Sequence, residues 1–173
     1  MSVRKPERIL TDGEVIRLFG DPSDYVLSDG SIHSAWEARI LTPVKLPAPL
    51  PLLGVPGRNV TRYRCHNRIW KIYEAAFAAV YAVPEIWATI GDWGGCYAFR
   101  TNRRNPRKLS RHSFGIAHDW DAAENAQGTV GNVHPGLIEI MESHGFYFGG
   151  RFKGLARDPM HWEFAAPWLL GQN

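Results

Sequence analysis

The sequence predicts an α+β fold, a small antiparallel sheet with helices packed against it. Three observations carry this reading. Ile69, Ile72, Tyr73, Ala76, Phe77 and Val80 repeat at the 3.6-residue period of a core helix. Three strand candidates crowd the second half, at 115–121, in FYFGGRF (146–152) and in HWEFA (161–165). Short connections join the later strands, and a run of strands and helices in this order suits an antiparallel sheet. At 173 residues the chain has the size of one domain, able to bury roughly two thirds of its unfolded surface. The expected organisation is a single domain over 1–173, with 1–59 a wrapping arm and 60–166 the core.

The elements follow in chain order. TDGEVIRLF (11–19) starts a helix that Thr11 caps, with Glu14 three residues on completing a capping box, and the turn at Gly20 to Ser23 ends it. RILTPVKLP (39–47) reads as extended. KLPAPLPLLGVPG (45–57) holds four of the twelve prolines and predicts an extended or polyproline-like arm packed on the body. The core helix begins near Asn67 and Pro84 closes it. GDWGGCYAFR (91–100) predicts a strand ending at Arg100, followed by a basic loop, TNRRNPRKL (101–109). After the strand at 115–121 and a loop of turn residues, Pro135 suits the first turn of a helix through LIEIMESH, and Gly145 its C-terminal stop. The chain contains no internal repeat.

Composition excludes several classes. Hydrophobic residues make up 45% and charged residues 21%, which rules out a disordered chain. A formal charge of +3 and a pI near 9.0 are compatible with an anionic partner, wall or nucleic acid, without choosing between them. No segment has the roughly 18 consecutive apolar residues of a membrane span, and the N-terminus lacks the apolar run of a signal peptide. A chain made in the cytoplasm, without an export signal and without membrane insertion, is expected. Cys65 and Cys96 are too far apart for a CxxC pair; buried thiols are favoured over a disulfide.

Two stretches carry chemistry. In SRHSFGIAHD (110–119) His112 precedes a strand on which Ala117, Asp119 and Asp121 share one face, while His118 and Trp120 point to the other. Gly115 allows the chain to turn so that His112 reaches Asp119. In DPMHWEF (158–164) His161 opens another strand candidate. Two imidazoles and one carboxylate are the three-ligand set of a catalytic zinc. Asp158, three residues before His161, is the candidate general base, and Arg100 can hold an oxyanion or a substrate carboxylate with its planar fork. Glu163 shares a strand face with His161 and reads equally as a carboxylate that orients it or as a solvated one. His33, His66, His118, His134 and His144 are read as structural, Trp162 and Phe164 as packing. Arg103, Arg104, Arg107, Lys108 and Arg111 read together with Arg100 as a solvated or phosphate-binding patch.

SRHSFGIAHD resembles the Ser-x-His-x-x-Gly-x-Ala-x-Asp signature of the zinc D-alanyl-D-alanine carboxypeptidase and L-alanyl-D-glutamate endopeptidase family, peptidoglycan peptidases that include many phage endolysins. DPMHWEF resembles the second signature of that family, HPGLIEIMESHGFYFGGRF its helix and Gly-Gly turn, and GGCYAFR the strand with its substrate-binding arginine. The similarity spans about residues 60 to 166. It implies a hedgehog/DD-peptidase-like fold, a Zn2+ cofactor held by His112, Asp119 and His161, Asp158 as general base, Arg100 on the substrate or oxyanion, and Ser110 touching substrate.

Carboxypeptidase members usually carry glutamate where this chain has Asp158, and endolysin-type endopeptidases commonly carry aspartate. The expectation is therefore an endopeptidase, a monomer cutting the L-alanyl-D-glutamate bond of stem peptides and reaching the wall through a lysis pore or virion. A D-alanyl-D-alanine carboxypeptidase is the alternative. A nucleic-acid-binding module is the remote one, because a basic loop without interleaved aromatics makes a poor single-strand platform.

Overall fold

The computed structural model describes residues 4–171. Its centre is a four-stranded antiparallel sheet in the order β3-β6-β8-β7, from Trp93–Gly95, Ala117–Trp120, His161–Phe164 and Phe146–Phe148. The alternation of side chains divides the two faces between packing and chemistry. His118, Trp120, Trp162, Phe146 and Phe164 are buried. They meet helix α3 (Trp70–Tyr81), whose Tyr73 and Phe77 rings lie 5.4 and 5.3 Å from the ring of His118. Replacing an aromatic side chain such as Trp162 here by alanine is expected to cost ~3–5 kcal/mol. The opposite face carries Asp119, His161 and Glu163. The β6–β8 register sets Asp119 directly across from His161, and Ala117 across from Glu163. The mixed α+β architecture read from the sequence is the one observed.

Local chemistry explains most elements. Helix α1 (Asp12–Phe19) has Thr11 at its N-cap and the full capping box with Glu14. Helix α3 buries Ile72, Tyr73, Ala76, Phe77 and Val80, the stripe given by the periodicity. Pro84 opens a further turn, α4 (Pro84–Trp87). Helix α5 (Pro135–Ser143) has Pro135 in its first turn, and His134 accepts from the Gly136 amide at its N-cap. Gly145 follows with φ +89°, a conformation glycine tolerates.

Three segments depart from the sequence reading. Residues 45–57 form no polyproline arm: the stretch read as extended at 39–47 belongs to strand β1 (Leu41–Pro51), which a short helix α2 (Ser34–Ile40) leads into and which pairs antiparallel with β2 (Asn59–His66). Pro43, Pro47, Pro49 and Pro51 all fall on exposed, odd-numbered positions, while Val44, Leu46 and Leu50 enter the core. A strand tolerates proline where no ladder donor is needed, and the register shifts between Lys45 and Leu50. The hairpin also crosses the expected boundary at 59/60. Residues 91–100 form a strand only at β3, after which the chain turns irregular. The basic segment is no open loop but a hairpin, β4 (Thr101–Asn102) with β5 (Asn105–Leu109), in which Oδ1 of Asn102 accepts from the Arg104 and Asn105 amides.

The N-terminal residues are integral to the packing. Leu10, Val15, Phe19, Trp36 and Ile40 belong to the same buried cluster as the sheet and α3. Cys65 and Cys96 are both buried and free. Burial pushes the Cys96 thiol up to about 12, so neither is set up as a nucleophile at neutral pH.

A candidate metal centre

His112 lies on a 3₁₀ turn, Arg111–Phe114, that Ser110 caps by accepting from the His112 amide at 3.4 Å. Gly115 ends this turn in the left-handed conformation, φ +64°. A Cβ there would lie 2.9 Å from the amide nitrogen of His66, so only glycine lets the turn close against β2. His112 is thereby brought beside the strand bearing Asp119. Nε2 of His112 lies 3.3 Å from Oδ1 of Asp119 and 3.3 Å from Nδ1 of His161, and that Nδ1 lies 3.1 Å from the same Oδ1.

The partners behind each ring decide which nitrogen is free. Nδ1 of His112 faces the Cys96 carbonyl oxygen at 2.7 Å, an acceptor only, so Nδ1 carries the proton and Nε2 presents its lone pair. Nε2 of His161 faces Oε2 of Glu163 at 3.1 Å and donates there, which leaves Nδ1 facing Oδ1 of Asp119 and Nε2 of His112. Three donor atoms therefore converge, and a positive charge shared among them, as a proton or as a metal in its place, relieves their repulsion. Donor atoms about 2.0–2.1 Å from one tetrahedral zinc stand about 3.4 Å apart, and the observed triangle has edges of 3.1–3.3 Å. The donor set fits zinc in kind and in spacing.

Electrostatics agree. Burial alone would raise the Asp119 carboxyl, but the hydrogen bonds and charges of His112 and His161 outweigh it and hold it far below the usual carboxylate range. Burial alone would depress the imidazole of His161, but Asp119 and Glu163 push it up to about 10. The same negative field that holds a proton there attracts a cation.

The triad opens into a groove of about 1120 Å³, which Arg100, Ser110, Asp158, Arg103, Arg104 and Lys153 also line. Asp158 is partly buried; its Oδ1 has no hydrogen-bond partner among the described residues, and Oδ2 accepts from Gln127 at 3.4 Å. Burial raises its carboxyl, against the pull of His161. Its backbone is seated by Gly149: the Asp158 amide donates to the Gly149 carbonyl at 3.0 Å. A Cβ on Gly149 would overlap the Asp158 carbonyl oxygen and come within 2.8 Å of that of His161. The guanidinium groups of Arg100 and Arg103 make no hydrogen bond or ion pair among the described residues. Burial, then the charge of Arg103, lowers Arg100 from its ordinary value, which marks both as cations facing one region of the groove. Ser110 reaches the groove wall but is 5% exposed.

Residues 103–164 match the D-alanyl-D-alanine carboxypeptidase family model. The match covers a little over a third of the chain and includes the triad and Asp158. No curated protein and no solved structure matches the chain. The family is one of zinc peptidases, and the His-Asp-His cluster of this chain lies inside the matched segment.

Two contributors escaped the sequence reading. The carbonyl of Cys96, which orients His112, is a backbone group and leaves no trace in residue types. The sequence places Arg111 in the solvated or phosphate-binding basic patch, yet its side chain is only 12% exposed and turns inward, 3.4 Å from Glu163. Glu163 is buried, 4% exposed, which settles it against solvent and beside His161. His66, His118, His33 and His134 serve the fold: His66 spans two backbone groups, His118 lies among aromatic rings, and His33 and His134 cap helices.

Proposed function

We propose that the chain is a zinc-dependent peptidase of peptidoglycan stem peptides, with His112, Asp119 and His161 as the ligands. The observation that carries this is the convergence of Nε2, Oδ1 and Nδ1 at 3.1–3.3 Å, in a groove that also holds Asp158. A zinc ion held there supplies Lewis acidity, polarising a peptide carbonyl and acidifying water at neutral pH. The residues of the chain do the rest. Asp158, raised by burial and with an unpartnered oxygen, accepts a proton at Oδ1 and passes it to the departing amine. Arg100 donates from its fork to the oxygen on which charge develops, or to a substrate carboxylate. The cations along the groove favour a substrate that carries carboxylates, as wall stem peptides do.

Cleavage of the L-alanyl-D-glutamate bond is the favoured specificity, on the aspartate at position 158. Removal of a terminal D-alanine is the second reading, supported by the description of the matched family and by the two unpaired guanidiniums, Arg100 and Arg103, which suit a terminal carboxylate. Mass spectrometry of wall fragments digested with and without chelator separates them. A cut after the first L-alanine supports the endopeptidase and free D-alanine the carboxypeptidase; digestion that chelator leaves untouched refutes the zinc reading.

A further inference from the structure

Behind the donor atoms, the ring of His161 is held by a chain of charged groups that leads out of the site into the N-terminal segment. Nε2 of His161 donates to one oxygen of Glu163 at 3.1 Å, and the other oxygen lies 3.4 Å from Nε of Arg111. The rest of the Arg111 fork is also engaged: Nη1 donates to Oδ1 of Asp12 at 2.9 Å and Nη2 to the Leu10 carbonyl at 2.6 Å. Lys108 completes the chain on the second oxygen of Asp12, at 2.7 Å.

We propose that Arg111 is a positioning residue of the metal centre, which fixes Glu163 against His161 and is itself anchored by the start of helix α1. The inference rests on the zinc reading above. Glu163 is buried with a side chain 5% exposed, and a carboxylate in that setting needs a cation beside it. Arg111 supplies that charge as an ion pair without a hydrogen bond, and its two donated bonds, to Asp12 and the Leu10 carbonyl, fix the direction of the fork. Glu163 then stays where it accepts the Nε2 proton, so that Nδ1 of His161 stays directed toward Asp119 and His112. Lysine, with one compact ammonium, cannot reach Glu163, Asp12 and the Leu10 carbonyl at once. Arg111 neighbours His112, so a single short turn presents one ligand and clamps the orientation of another.

The test measures zinc affinity by chelator competition and, independently, the visible absorption of the Co2+-substituted protein, which reports ligand geometry. Arg111→Met is expected to weaken zinc binding about 10- to 100-fold, the usual effect of losing a partner behind a ligand, and to alter the Co2+ bands. Arg111→Lys keeps the charge and is expected to recover only part of the loss; it also carries the test should Arg111→Met fail to fold. Asp12→Ala, at a half-buried position, is expected to weaken binding several-fold. Glu14→Ala removes the capping box of the same helix and is expected to lower the melting temperature with zinc affinity unchanged. Wild-type affinity and an unchanged Co2+ spectrum in either Arg111 variant overturn the inference alone, and the same result in Asp12→Ala overturns the anchoring by α1. A wild-type protein that takes up no zinc overturns the zinc reading and this inference with it.

Discussion

His66 makes the stability of this protein depend on pH in a way that can be worked out from its surroundings. The residue is 3% exposed at the end of β2. Nε2 lies 3.0 Å from the Phe19 carbonyl and therefore donates, while Nδ1 accepts from the Arg68 amide at 3.1 Å. Burial disfavours the charged ring, as does the nearby charge of Arg68, and these outweigh the bond to Phe19, so the imidazole is lowered from its ordinary 6.5 to about 4. The unfolded chain then holds more protons than the folded one between those values, and stability falls as pH drops from about 6.5 to 4. At about 1.36 kcal/mol per pH unit, the loss approaches ~3 kcal/mol by pH 4. His66→Gln does not titrate and keeps an amide to donate to Phe19. Urea unfolding of both proteins at intervals from pH 4 to 7 isolates the residue, because every other titrating group is common to the pair. The wild type is expected to lose ~3 kcal/mol more than the variant over this range. Parallel curves refute the claim that His66 is held neutral.

Further outcomes follow from other residues. Asp158→Asn is expected to lower kcat by about 10²- to 10⁴-fold while zinc content, read by atomic emission, stays at the wild-type level. His118 is fully buried between Trp93 and Trp162 with neither ring nitrogen partnered among the described residues; His118→Leu is expected to raise stability by ~1 kcal/mol, measured by denaturant titration, since an unsatisfied polar group is removed. Gly149→Ala drives a methyl into the Asp158 and His161 carbonyls, so a loss of roughly 1–3 kcal/mol is expected in thermal melts, together with reduced turnover of wall fragments.

The features legible in the sequence are those whose cause is local. The α3 stripe repeats within one element, Thr11 and Glu14 cap across a single turn, and His161 and Glu163 share a strand face by being two residues apart. The spacing in SRHSFGIAHD encodes a turn followed by a strand, which suffices to pair His112 with Asp119. What was illegible depends on distant partners or on backbone groups. The proline-rich stretch becomes a strand because β2 supplies its ladder, a tertiary effect that overrides the propensity of its residues. The basic segment folds back because the Asn102 side chain satisfies two amides at its tip. Arg111 meets Asp12 across 99 positions, with no pattern in either neighbourhood to announce the other.

The four prolines of β1 have a consequence for how copies of this protein behave toward one another. Leu52 donates to the Arg58 carbonyl and the Ile40 carbonyl accepts from Asn67, so at both ends of the strand even-numbered backbone groups face β2 and the odd-numbered ones face away. Pro43 and Pro51 thus strip donors from the outer margin of an eleven-residue strand, and Pro47 and Pro49 offer none in the irregular stretch between Lys45 and Leu50. A strand of this length with its donors intact would invite another chain to zip alongside. Here the chain ends that invitation by composition, and crowding many copies together should favour dispersion over cross-strand fibres.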